Sequence, residues 1–573
     1  MIYCKMKECD AITEGEYCER YCCKCEQADY KLMIIKRKMT IYFSGCFDFQ
    51  VLYGLVTVRR YRFRGGKFDE NRFRRVSVPY KLSTPIEFCG DESDSIEAVN
   101  WQRLKWRITE VSDEVDKVKD NFAEGDSLIL LRFKSSPVAS IMKEIYKDPF
   151  FVPTALNFRF VHLSQFCAIT LKSWKAPVST FGEDVVAAHY RNIVARSEKE
   201  GKTITMIVGD KGVGKSTLAR EIVNFVLDKE LYDVYYLDAD IGQAEFTPPG
   251  CISLHKVAEP MLGSPAFTQL SSCSNSYFFG DISPANDVAL YQQLIIKLVN
   301  VFRSTTLSRS LLIINYLGWI YDRGTQLLND LINSVSPDII IRLKTVDDQT
   351  IERPDEGFPG NVKYSSSALL LDCKTKRDVM IDSLSPADHR KCLTIGYFAH
   401  LLPAPSPSAF PNIWPLTVRF KAIAIYMHPD ISLIPDTYLF AALNATLVAL
   451  CSWERKPGCD MVKRRILDDP EMVEIIHSDT VYLKFYGFGF IRAIDVEKKL
   501  FYMITPVPKA TLKHVNTFAR GTKINLPSIF FTSQEFKDAP YSLALHRNDS
   551  MVKWYEELRN VTFLRGRPTK KMK

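Results

Sequence analysis

The chain has 573 residues, 46% of them hydrophobic and 25% charged, with a formal net charge of +8. This length exceeds what one hydrophobic core supports and implies about three or four domains of ordinary size. The composition is that of a soluble globular protein, and the modest positive charge permits an anionic partner without requiring one. The most apolar run, Leu439 to Cys451, is short and contains Asn444 and Thr446, so a membrane span, which needs about 18 or more apolar residues, is not expected.

Residues 1–38 form a leader. Met1 to Lys7 lack the apolar centre of a signal peptide, so the fifteen cysteines are expected in a reducing compartment. Six of them, Cys4, Cys9, Cys18, Cys22, Cys23 and Cys25, crowd this start. Cys22 and Cys25 have zinc-knuckle spacing, but no second Cys or His pair follows at the usual separation, and the reading is free thiols in a poorly ordered segment. Residues 39–182 read as a β-rich N-terminal domain, with apolar runs at 40–43, 49–58, 127–133 and 158–162. Within it, Arg59-Arg60-Tyr61-Arg62-Phe63-Arg64 alternates cations with aromatics. That pattern suits a solvated strand face, or a surface that grips RNA phosphates and stacks bases.

Residues 183–401 change character, with apolar strand runs alternating with helical patterns, as in a parallel sheet with helices on both faces. Strands are expected at 203–208, 234–237, 310–315, 339–343 and 368–371, and helices at 216–228, 287–303 and 324–334. Between the first strand and helix lies Gly209-Asp210-Lys211-Gly212-Val213-Gly214-Lys215-Ser216-Thr217, a complete phosphate-binding loop in its proper setting. The glycines let backbone N–H groups turn toward phosphates, Lys215 reaches the β/γ-phosphates and Ser216 holds Mg²⁺. After the second strand, Asp238 and Asp240 emerge where ligands bind in open α/β sheets, as alternate residues pointing to one side. One carboxylate is suited to the metal shell and the other to activating a nucleophile. An Asn-Lys-x-Asp guanine element is missing, and the stretch after 310–315 lacks the pattern of a ring-forming motor. A small kinase-like site with a lid is the economical reading. Residues 402–573, entered through the proline-rich piece 402–415, are again β-rich and end in the basic run Arg565 to Lys573, which suits a nuclear-import signal, a nucleic-acid contact or a solvated tail.

Four segments together carry a resemblance: 209–217, 238–250 with its Phe-Thr-Pro-Pro-Gly ending, Phe278-Phe279-Gly280-Asp281-Ile282-Ser283-Pro284, and Asn315-Tyr316-Leu317-Gly318-Trp319. The chain resembles the polynucleotide 5′-hydroxyl kinase family, and the ending at 246–250 resembles its nucleolar branch, which works in ribosomal RNA processing. The likeness extends from about residue 40 through most of the chain. It implies an α/β P-loop kinase core flanked by β-rich domains, and transfer of the γ-phosphate of ATP, with Mg²⁺, to RNA 5′-hydroxyl ends. It implies that Lys215 clamps phosphates, that Ser216 and Asp238 support the metal, and that Asp240 is the favoured base. Gln243 is implied at the metal shell or RNA end, and Gly318 and Trp319 at the terminal nucleotide. Arg390 is the favoured lid arginine, with Lys391 second. An endoribonuclease partner and a nuclear, nucleolar location are implied as well. Tyr316 departs from the family, which has Thr there. An ATP-bound scaffold and a nucleic-acid-stimulated ATPase are the alternative readings.

Overall fold

The computed structural model describes Cys22 and, with breaks, residues 29–530; the longer breaks are 92–98, 108–114, 153–160, 172–187, 346–368 and 376–383. The basic run at 565–573 and the leader cysteines other than Cys22 lie outside the described residues. Contacts divide the chain into two compact units, Met1–Tyr277 with Pro284–Ser406, and Phe278–Ser283 with Pro407–Lys573. The break after Ser406 falls inside the proline-rich piece. Among the described residues no helix is long and apolar enough to cross a membrane, and Cys46, Cys89, Cys273, Cys392 and Cys451 are free thiols.

The first unit opens with an antiparallel sheet built from β1 (Tyr30–Ile35), β2 (Thr40–Tyr53), β3 (Leu55–Val58), β4 (Tyr61–Arg64), β5 (Arg74–Val78), β6 (Ile86–Gly90), β7 (Ser127–Arg132), β8 (Val161–Ser164) and β9 (Cys167–Thr170). Strand β1 lies inside the stretch read as a poorly ordered leader, which corrects that boundary. Leu32 and Ile34 bury into one cluster, while Met33 and Ile35 bury into another. A strand buried on both faces shows a continuous apolar run instead of alternation, and the nearby cysteines masked it. Cys22 is also buried and bridges Met33. The domain carries helices the β-rich reading omitted: α1 (Trp101–Arg107) and α2 (Val115–Asn121), whose Leu104, Val115 and Val118 cover the Leu32 face, and α3 (Pro137–Tyr146).

The second sheet of this unit contains β10 (Lys202–Gly209), β11 (Asp233–Asp238), β12 (Cys251–Val257), β14 (Ser310–Asn315), β15 (Ile339–Thr345) and β16 (Leu369–Thr375), while β13 (Ser276–Phe278) leads the chain into the second unit. The order β16-β15-β10-β14-β11 is parallel throughout, and β12 joins antiparallel to β11. The sheet is therefore mixed rather than wholly parallel. Helix α4 (Lys215–Asp228) sets Leu218, Ile222 and Val226 against the face of Ile207, Ile313 and Tyr236. Helix α5 (Val288–Ser304) brings Phe302 edge-on to Tyr235, 5.4 Å between centroids, on the opposite face. Helix α6 (Arg323–Val335) and helix α7 (Pro386–Ala399) follow.

The β3–β4 hairpin turns through Arg59 and Arg60, both with left-handed φ, 44° and 70°. Such a two-residue turn normally uses Asn-Gly, and arginine there costs about 1–2 kcal/mol per residue. Docking on α4 offsets the strain. Asn224 Nδ2 donates to the Arg59 carbonyl at 3.0 Å, Arg60 Nε meets Glu221 at 3.5 Å, and Arg62 gives its backbone N–H and Nε to Asp228 at 2.9 and 2.8 Å. The basic strand read as a solvated or RNA-gripping face is thus engaged, through Arg59, Arg60 and Arg62, with the helix behind the glycine loop.

In the second unit, strands Leu447–Arg455 and Val481–Asp495 pair antiparallel, and Thr517–Arg520 continues the sheet against the former. Its core gathers Phe420, Phe501 and Phe518. Segment 278–283 belongs here: Thr522 N donates to the Gly280 carbonyl at 2.8 Å, and Lys523 reaches the buried Asp281 at 3.5 Å.

Burial pushes the Glu221 carboxyl up to about 7 from 4.5, against the pull of Arg60 and Arg59. The folded chain therefore holds a proton there that the unfolded chain releases, and this contribution to stability, complete below pH 4.5, is lost as pH rises through 7. Glu221→Gln is expected to unfold thermally near wild type at about pH 5 and to be the more stable form at about pH 8, by on the order of 3 kcal/mol at most. Greater destabilisation of the variant at about pH 8 than at about pH 5 would mean that the Arg60 pair outweighs burial.

Candidate active site

The loop between β10 and α4 is shaped by three glycines with positive φ, Gly209 at 154°, Gly212 at 77° and Gly214 at 96°. A Cβ at Gly209 would lie 2.8 Å from the Leu343 carbonyl oxygen, so position 209 has no room for a side chain. Gly214 caps α4, and the first-turn N–H groups and the positive end of the helix dipole face the loop. Lys215 is buried and folds its Nζ onto the carbonyls of Gly209 and Asp210, at 3.1 and 2.8 Å. Burial lowers its pKa, while Asp240 and Asp210 oppose that shift. Asp210 Oδ1 accepts from the Lys211 N–H, Val213 is buried in the core, and Ser216 and Thr217 open the helix.

Strand register sets the next group. Asn315, the last residue of β14, lies opposite Ile207 on β10 and opposite Asp238 on β11. Its carbonyl accepts from the Ala239 N–H at 3.1 Å, and its Nδ2 donates to Ser216 Oγ at 3.2 Å. Asp238 is fully buried: Oδ2 accepts from the Glu245 N–H, and Oδ1 has no hydrogen-bond partner among the described residues. Burial drives its carboxyl well above the usual range, with the Glu245 N–H opposing. Asp240 is partly exposed, and its Oδ1 accepts from the N–H groups of Gly242 and Gln243, both at 3.1 Å, leaving Oδ2 without a hydrogen bond. The two carboxylates thus have different surroundings despite their alternate spacing.

Sequence reasoning did not single out Arg220 or Glu245. Arg220 Nε meets both Glu245 oxygens at 3.0 and 3.1 Å, and Nη2 meets one at 2.8 Å, with both residues buried. This bidentate pair fixes the 238–245 turn to α4. Buried Arg59 stands close by, its pKa pushed down to about 10 by burial and by Arg220, with Glu221 and Glu245 opposing. An arginine within an amphipathic helix pattern reads as surface, so the sequence carries no signal for the pair.

Gly318 lies against the loop, since a Cβ there would sit 2.8 Å from the Lys211 Cα. Trp319 is half-buried, its ring root close to Gly324. Tyr316 is fully buried and its hydroxyl lies within electrostatic reach of Tyr291 on α5. The residue that replaces the family's Thr thus packs into the core. Gln243 is exposed at the turn after Asp240.

Arg390 sits one turn into α7, which Ser385 caps through its Oγ and the Asp388 N–H at 3.1 Å, with Pro386 in the first turn. Helix α7 approaches the 265–267 turn so closely that a Cβ on Gly396 would overlap the Ala266 carbonyl, and Tyr397 donates to the Ser271 carbonyl at 3.1 Å. Arg390 therefore rests on a well-anchored helix. It is partly buried, and that burial lowers its pKa while Asp240 counteracts the shift. Lys391 is exposed and pairs with Asp388 at 2.9 Å, so the geometry separates the two candidates.

A glycine loop capping a helix, with carboxylates and an amide at the carboxyl ends of the neighbouring parallel strands, defines a P-loop nucleotide-binding fold of the kinase type. Residues 209–370 match the family described as mRNA cleavage and polyadenylation factor CLP1 P-loop, and 468–526 match the NOL9-like C-terminal domain. The chain is 30% identical over 528 residues to polynucleotide 5′-hydroxyl-kinase nol-9 of Caenorhabditis briggsae, covering 87% of this chain and 91% of that protein. It is 27% identical to nol-9 of Caenorhabditis elegans, covering 91% and 93%, and 28% identical to NOL9 of Bos taurus, covering 86% and 75%. Among solved structures, the wild-type Clp1p–Pcf11p complex aligns with a TM-score of 0.50 at 12% identity, covering 86% of this chain and 97% of that one, and shares the fold. The chain belongs to the polynucleotide 5′-hydroxyl-kinase family and is, as such, a phosphotransferase.

Removing one partner of the Arg220–Glu245 pair leaves a buried charge uncompensated. Arg220→Ala and Glu245→Ala are each expected to destabilise the protein by about 3–5 kcal/mol in denaturant unfolding. The double variant should lose clearly less than the sum, and simple additivity would contradict the pairing.

Proposed function

We propose that this chain uses ATP and Mg²⁺ to phosphorylate RNA 5′-hydroxyl ends left by an endoribonuclease in ribosomal spacer processing, and that it acts in the nucleolus. The observation that carries the reading is geometric: Gly214 caps α4, Lys215 folds onto the loop carbonyls at 3.1 and 2.8 Å, and register sets Asp238 opposite Asn315 at the carboxyl ends of β11 and β14, while Asp240 supports the charged forms of Lys215 and Arg390. A donor phosphate clamp, a carboxylate and a second cation are the parts that phosphoryl transfer requires. The nucleolar and ribosomal reading draws support from the relatives named nol-9 and NOL9 and from the Phe-Thr-Pro-Pro-Gly ending.

The loop 209–217 cradles the triphosphate, and Lys215 exchanges its two carbonyl contacts for phosphate oxygens. The residues present suit a divalent cation: Ser216 Oγ stands at the helix start, and the buried acceptors Asp238 Oδ1 and Asn315 Oδ1 have no partner. Ser216 and Asp238 would hold Mg²⁺, which would supply charge neutralisation at the phosphates. Asp240, with Oδ1 held by two N–H groups, offers Oδ2 to the RNA hydroxyl proton as general base, while Arg390 offsets charge developing on the phosphoryl oxygens. Gly318 and the half-buried Trp319 receive the terminal nucleotide by stacking, and exposed Gln243 contacts the RNA end.

Incubation with γ-labelled ATP, Mg²⁺ and a 5′-hydroxyl RNA is expected to label the RNA end, and Lys215→Ala and Asp240→Ala to cut transfer by about 10²–10⁴-fold. Free phosphate without labelled RNA would mark an ATPase, and bound ATP without turnover a scaffold. Loss of transfer in Asp238→Ala with retention in Asp240→Ala would reverse the assignment of the base. Trp319→Ala is expected to raise the KM for RNA by about 5–150-fold, whatever the terminal base, with kcat little changed. A loss confined to one terminal base would contradict stacking as the mode of recognition.

A further inference from the structure

We infer that Asn315 is a positioning residue of the metal site: its amide N–H orients Ser216, and its amide oxygen, beside Asp238, presents an acceptor to water bound on the cation. This rests on the nucleotide and Mg²⁺ reading above and assigns that site a residue beyond Ser216 and Asp238.

Three observations converge. Strand β14 is the direct neighbour of the loop strand β10, and the end of a strand near the loop is where P-loop NTPases place a carboxylate that supports Mg²⁺. Here that end carries an amide, whose Nδ2 reaches Ser216 Oγ at 3.2 Å. A carboxylate has no N–H with which to make this bond. Second, Asn315 is only 1% exposed, yet its Oδ1 has no partner, and the Oδ1 of Asp238, directly opposite on β11, has none either. A buried acceptor left unsatisfied costs about 1–3 kcal/mol, so two on residues opposite in register imply that their donors arrive with a ligand. Mg²⁺ dehydrates reluctantly and keeps several waters, which are strong donors, and groups that bind such waters orient the direct ligands. Third, Asp238 and Asp240 already bring two carboxyl groups to this end of the sheet. A third opposite a triphosphate would add repulsion, which an amide avoids while keeping an acceptor.

The test is ATP affinity of the full chain, measured by calorimetry in EDTA and in Mg²⁺. Wild type is expected to bind more tightly with Mg²⁺. Asn315→Ala should hold its affinity in EDTA and lose about tenfold of the Mg²⁺-dependent gain, as outer-shell partners commonly do. Asn315→Asp, which preserves shape and is the variant to rely on if alanine prevents folding, keeps the acceptor but loses the N–H, and should keep more of the Mg²⁺ gain than Asn315→Ala while binding about tenfold more weakly in EDTA. Equal losses in both conditions, or a wild-type Mg²⁺ gain in Asn315→Ala, would overturn the inference, as would Asn315→Asp with unchanged affinity in EDTA. A wild-type protein with no Mg²⁺ gain would instead overturn the underlying metal reading.

Discussion

Helix α4 is held at both ends, and the candidate site depends on that. Its first turn presents Lys215 and Ser216 to the loop, while its later turns bury Glu221, Asn224 and the Asp228 carboxylate beneath the β3–β4 hairpin. Between them Arg220 grips Glu245, whose backbone N–H holds Asp238. Lys215, Asp238 and the N-terminal sheet are therefore connected through one helix by buried, charge-assisted contacts, which are costly to break singly. Two arginines accept left-handed backbone at the hairpin tip, a conformation that persists only when its surroundings over-determine it. The N-terminal sheet braces the helix that follows the glycine loop.

The electrostatics of the site follow from burial. Lys215 and Arg390 both lose basicity through desolvation, and Asp240 counteracts that loss in each case. Charges withdrawn from water interact more strongly, so Asp240 supports the charged forms of both cations. Asp238 is the contrasting case. Buried completely with one oxygen unpartnered among the described residues, its carboxyl is held well above the usual range by desolvation.

Features with a strong local signal were legible in the sequence. The glycine loop and strand β14 are visible because a buried parallel strand is a continuous apolar run and the loop's glycines are required by its backbone. Strand β12, Cys251–Val257, was missed, because its apolar residues follow a turn rich in Pro and Gly and nothing in such a run records antiparallel direction. Helix α7 buries Cys392 through Ala399, so it lacks the one-sided pattern that marks a helix. The Arg220–Glu245 pair and the Asn315–Ser216 bond join residues far apart in sequence, and only register brings them together. Asn315 was visible as part of a motif, but its partner was not. The hairpin arginines misled in the opposite direction, because alternation of cations and aromatics does not reveal what covers the cationic face.

The central claim is that Asp240 faces the acceptor hydroxyl while Asp238 and Asn315 serve the metal beside Ser216. A crystal structure of the protein with a non-hydrolysable ATP analogue, Mg²⁺ and a 5′-hydroxyl RNA oligonucleotide tests it most directly. The account predicts the RNA 5′-oxygen within hydrogen-bond reach of Asp240, about 2.6–3.2 Å, with Arg390 on the transferring phosphate and Asp238 turned to the cation. A 5′-oxygen bound to Asp238, or held far from Asp240 in an otherwise closed site, would contradict it.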